Sequence, residues 1–160
     1  MKTIILGLGN PILRDDSVGL RVARVLRENL IQPEITVMEA SVAGLDILDL
    51  LAGHEQAIII DAIQTEGGKA GRVYRLEPEA LNTTCHAATP HDVNFATALE
   101  LGNKLGLALP QKIAIFAIEV GDVSSFSEEC TPEVEAAIPL CVNMITKELS
   151  GQQEECQYGR

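Results

Sequence analysis

The sequence predicts an α/β fold: a single-domain three-layer sandwich with a mixed, mostly parallel five-stranded sheet and helices on both faces. Three observations carry this. Strand and helix patterns alternate along the chain, the runs Thr3-Ile4-Ile5-Leu6 and Ala57-Ile58-Ile59-Ile60 are apolar throughout, and a short glycine turn precedes one strand. Continuous apolar runs suit strands buried on both faces, as parallel sheets require. In order, strands are expected near 2–7, 34–40, 56–61, 71–76 and 112–119, and helices near 17–30, 44–52, 91–105 and 132–148. Val18, Val22, Val25, Leu26 and Asn29 line one side of the first helix, while Arg21, Arg24 and Arg27 face elsewhere. Glu66-Gly67-Gly68-Lys69 is a turn signal that makes the 71–76 strand antiparallel to its predecessor. Thr131 is the expected N-cap of the last helix, with Pro132 at its first position and Pro139 interrupting its interior. Residues 1–149 form the domain, and 150–160, polar and without an apolar face, read as a flexible C-terminal tail.

A chain of 160 residues, 46% of them hydrophobic, can bury a core without disulfides. The net charge of −11 excludes the basic surface of a nucleic-acid binder. Cys85, Cys130, Cys141 and Cys156 form no C-x-x-C pair, which fits reduced thiols in a cytoplasmic protein. No segment reads as a secretion signal or membrane span.

The loop after the first strand, Gly7-Leu8-Gly9-Asn10-Pro11-Ile12-Leu13-Arg14-Asp15-Asp16-Ser17-Val18-Gly19, sits where α/β proteins often bind phosphate. Here Ile12 replaces the third glycine of a dinucleotide fingerprint, Pro11 removes a backbone donor, and two aspartates repel an anion. A carboxylate pair at a strand-to-helix junction suits a cation or a proton transfer. Helix capping would account for one of the two aspartates, not both.

Asp61 closes the apolar run 57–60, at the strand end where open α/β sheets place their functional crevice. A carboxylate there must be paired, solvated or bound to a cation, or else cap the following backbone. Thr89-Pro90-His91-Asp92 reads as a helix start that holds His91 in the first turn, where the helix dipole favours the neutral, metal-binding imidazole. The 14 residues from Glu77 to Pro90, at roughly 3.3 Å each, can return the chain across the sheet to the aspartates. His54, in a Gly-His-Glu loop, and His86, beside Cys85, are rival histidines.

Taken together, Gly7-x-Gly9-Asn10, Asp15-Asp16-x-x-Gly19, the strand ending Asp61-Ala62, and Pro90-His91 resemble the hydrogenase maturation endopeptidases, which process nickel-iron hydrogenase large subunits. The resemblance continues through Glu39, Gly44, Ile118-Glu119-Val120 and Thr131-Pro132-x-Val134-x-Ala136. It implies a mixed α/β sandwich, and an endopeptidase that removes a C-terminal peptide from the large-subunit precursor once nickel is inserted. The family's three metal-contacting positions fall on Asp16, Asp61 and His91. Nickel is then carried by the substrate, with no nucleotide or organic cofactor. Relatives sometimes carry glutamate at the position of Asp16, and often a glycine-rich stretch where this chain has Ala40-Ser41-Val42.

Two other functions share these features. Peptidyl-tRNA hydrolase also begins with a strand and a similar glycine turn, but the stretch Arg14 to Arg24 lacks its histidine and the chain is acidic. A non-catalytic nickel-binding assembly factor would use the same three side chains to dock a metal-loaded client. No Ser-His-Asp order is present and no cysteine has a nucleophile context, so hydrolysis by water is expected. The water would be activated by a carboxylate or through nickel acting on the carbonyl.

Overall fold

The computed structural model describes residues 1–41, 45–78 and 95–158. Strands β1 (Thr3–Leu8), β2 (Ile35–Ala40), β3 (Gln56–Ile63), β4 (Val73–Leu76) and β5 (Lys112–Glu119) form one sheet in the order β2-β1-β3-β5-β4. All neighbours are parallel except β4, which pairs antiparallel with β5. The expected direction of β4 is therefore met, but its partner is not its predecessor. The turn, with Gly67 at φ 73°, sends the chain past a gap that β5 later fills.

Helices α1 (Val18–Asn29), α2 (Leu45–Leu51), α3 (Phe95–Lys104) and α4 (Pro132–Tyr158) cover the two faces. Alternation along the strands divides the core. Ile58, Ile60, Phe116 and Ile118 pack with Val18, Val22 and Leu26 of α1 and Val134, Cys141 and Ile145 of α4. Ile4, Leu6, Ala57, Ile59 and Ile115 pack with Ile47 and Leu51 of α2, and Leu99 of α3 joins them. The three arginines of α1 point away from the sheet: Arg21 meets Glu135, while Arg24 and Arg27 both bind Glu39 of β2, at 2.7 and 3.0 Å.

The last helix is longer than its sequence pattern, running to Tyr158 where an end near 148 and a tail from 150 were expected. The expected start of α3 at 91 lies outside the described residues.

Candidate active site

The loop that leaves β1 does not enter α1 directly. Asn10 folds it back, accepting from the Ile12 N–H through its side chain (3.2 Å) and from the Leu13 N–H through its carbonyl (3.3 Å). A single 3-10 turn, Arg14–Ser17, follows and carries both aspartates into the interior. Glycines make this packing possible. A Cβ on Gly9 would lie 2.3 Å from the Asp16 carbonyl oxygen, and one on Gly19 would lie 2.3 Å from that of Leu8 and 2.5 Å from that of Ile60. The 3-10 turn and the start of α1 thus rest directly on the carboxyl ends of β1 and β3.

Asp15 and Asp16 are both fully buried, and the contacts of Asp15 define a structural role. The Asp15 carboxylate accepts from the N–H groups of Gly121 (3.2 Å), Asp122 (3.1 Å) and Thr131 (2.7 Å), and from the Thr131 hydroxyl. It ties the 3-10 turn to the loop after β5 and to the start of α4, while its own N–H donates to the Asp122 carbonyl at 2.9 Å. Thr131, expected as an N-cap, spends its hydroxyl on this aspartate. Asp15 is therefore the structural member of the pair, although it anchors the last helix and not its own.

Asp16 is the remaining member. Its backbone lies against Gly9, just beyond Gly7, and Gly7 pairs in register with Ile60 of β3. Asp61 follows Ile60, is 5% exposed, and accepts the Ala62 N–H through Oδ1 at 2.8 Å. The 3-10 turn that carries Asp16 and the β3 end that carries Asp61 thus lie at the same carboxyl edge of the sheet. Asp61 continues the register of Ala57 and Ile59, the side covered by α2 and α3. His91, the third predicted residue, lies outside the described residues, as do His86 and Cys85. His54 is at the opposite edge, in the loop entering β3, with its ring beside the Leu51 carbonyl. Among the described residues, no three His, Cys, Asp or Glu side chains form a metal-holding group.

A fourth buried acid lies in the Ile118-Glu119-Val120 motif. Glu119 ends β5 and is 2% exposed. It accepts from the Thr65 N–H at 2.8 Å, from the Thr65 hydroxyl, and from the Tyr74 hydroxyl at 3.3 Å. Gly68 packs on its carboxylate with no room for a Cβ, which explains the second glycine of the turn. Its donors come from the β3–β4 turn and from β4, so it braces the far side of the edge.

Of the thiols, Cys130 and Cys141 are buried and free. Burial raises the pKa of both, that of Cys141 to about 12, and so removes the thiolate a nucleophile needs.

Fold and site define the class: a single-domain α/β sandwich with buried carboxylates gathered at the carboxyl edge of its parallel strands. Residues 20–148 match the profile of the HycI hydrogenase maturation protease family, and the chain belongs to that family of peptidases. The hydrogenase 2 maturation protease of Escherichia coli (strain K12) is 28% identical over 143 residues, covering 86% of this chain and 84% of the relative. The hydrogenase maturating endopeptidase HybD from E. coli has the same fold, with a TM-score of 0.82 at 24% identity over 95% of this chain and 94% of its own. The [NiFe] hydrogenase maturation protease HybD from Thermococcus kodakarensis aligns with a TM-score of 0.70 at 24% identity, over 92% and 98% of the two chains. The family assignment sets the peptidyl-tRNA hydrolase reading aside.

Proposed function

We propose that this protein is a cytoplasmic endopeptidase that removes a C-terminal peptide from the nickel-loaded large-subunit precursor of a nickel-iron hydrogenase. The observation that carries this reading is the burial of Asp16 and Asp61 at the same carboxyl edge of the sheet, one in the 3-10 turn and the other at the end of β3. Membership in the hydrogenase maturation proteases supports the substrate class. Asp16, Asp61 and His91 together offer two oxygen donors and one nitrogen donor, a set suited to a borderline ion such as nickel. Without thiolates such a site is open and binds weakly, so it engages the nickel already held in the precursor and reads whether loading is complete.

In this proposal, docking on the precursor's nickel places the scissile carbonyl beside the carboxylates. One aspartate takes a proton from water as the water oxygen bonds to the carbonyl carbon. The C–N bond then breaks, and the proton passes to the leaving amine. Carboxylates are weak general bases at neutral pH, so most of the rate must come from positioning. The buried thiols take no part.

Incubating the purified protein with excess nickel-loaded precursor, and following the precursor by intact mass, tests the reading. One equivalent of protein should shorten many equivalents of precursor at the C-terminus. Stoichiometric binding with unchanged precursor mass would identify an assembly factor instead and overturn the proposal.

A further inference from the structure

Phe126 is 81% exposed, although the chain has only three phenylalanines and no tryptophan. It sits in the loop after β5, directly opposite Leu13 in an antiparallel bridge, which sets the two side chains next to each other. Ile12, on the same short ribbon, is 51% exposed.

The ribbon's backbone is held in place. The Arg14 N–H donates to the Ser125 carbonyl at 3.1 Å and the Ser127 N–H donates to the Ile12 carbonyl at 2.9 Å. Asp122 Oδ1 accepts from the N–H groups of Ser124 (3.1 Å) and Ser125 (2.9 Å), and Asp15 clamps the base. Apolar side chains on a fixed backbone lose little entropy when covered, which favours their use as anchors. The ribbon also leads within three residues from Leu13 to Asp16.

The carboxylates beside the ribbon that lack an ion pair among the described residues give it excess negative charge. Glu128 and Glu129 are exposed, and neither carboxylate has an ion-pair partner among the described residues. The nearby cations are engaged, Arg21 with Glu135 at 3.0 Å and Arg14 with Asp122 at 4.0 Å. The complement of this surface is apolar with positive charge next to it.

We infer that Ile12, Leu13 and Phe126, flanked by Glu128 and Glu129, form the docking surface for an apolar segment of the precursor that carries adjacent Lys or Arg residues. The inference rests on the proposed function and adds to it where the client is gripped. Burying an exposed aromatic anchor typically contributes more than a factor of ten to affinity, or 1.4 kcal/mol.

The test compares the native protein, Phe126→Ser, and the double variant Glu128→Gln with Glu129→Gln, using purified nickel-loaded precursor. Binding is followed by titration calorimetry and processing by intact mass. Phe126→Ser should weaken binding and raise KM about tenfold, with kcat within about twofold. The double variant should weaken binding about threefold and lose most of its salt dependence. Thermal melts of both should match the native protein, since all three side chains are exposed. Equal affinity of all three proteins for the precursor would overturn the docking surface. Tight binding that Phe126→Ser weakens, with no cleavage by the native protein, would retain the surface and refute the peptidase reading.

Discussion

Replacing Asp15 with asparagine changes one heavy atom and tests the clamp that this carboxylate forms. The carboxylate offers two accepting oxygens, one facing Thr131 and the other facing the N–H groups of Gly121 and Asp122. An amide keeps only one acceptor. Whichever way it turns, its NH2 group confronts buried donors. If the oxygen stays on Thr131, two backbone N–H groups lose their acceptor at about 1–3 kcal/mol each, for a total of about 2–6 kcal/mol. Against a total stability of about 5–15 kcal/mol this is a large fraction. Urea denaturation followed by circular dichroism should show the midpoint fall by about 1–3 M, with a slope of about 2 kcal/mol/M. A shift of less than about 0.5 kcal/mol for Asp15→Asn would refute its role as the clamp between the 3-10 turn, the loop after β5 and α4.

Two further predictions follow from the packing. Gly19→Ala puts a Cβ 2.3–2.5 Å from two strand carbonyl oxygens, so α1 must lift off β1 and β3; a loss of about 3 kcal/mol or more in the same urea assay is expected, at the upper end of single substitutions. Cys141, held protonated to about 12 by burial, should resist iodoacetamide in the folded protein at pH 8 and react at once in urea. Because its folded pKa lies above the unfolded thiol value, its contribution to stability is full below about pH 8.5 and is lost as pH rises toward 12; stability that rises with pH in a Cys141 protein relative to Cys141→Ala would contradict this.

Much of this arrangement is written locally. The apolar runs 3–6 and 57–60 locate the two central strands because both faces of the sheet are covered, and Asp61 is conspicuous because it ends such a run. The Asp15-Asp16 pair marks the junction, but adjacency cannot tell which carboxylate is consumed by structure. That depends on the loop after β5, more than a hundred residues away in sequence. Sequence separation also hides the neighbour of β4, since local turn chemistry fixes direction and not which strand later fills the space. Glycines 9 and 19 are explained only by the carbonyl oxygens they meet. The extension of α4 past 150 reflects propensity: Gln152, Gln153, Glu154 and Glu155 are good helix formers that continue a turn already nucleated, although they repeat no apolar face. His91 is proposed from its motif and its family position.

The most direct measurement for the joint role of Asp16, Asp61 and His91 is the rate of C-terminal shortening of one nickel-loaded precursor sample by four proteins: the native chain, Asp16→Asn, Asp61→Asn and His91→Ala. Intact mass should show shortening by the native chain alone, while circular dichroism shows all four folded. Processing by any one variant at the native rate would contradict the account.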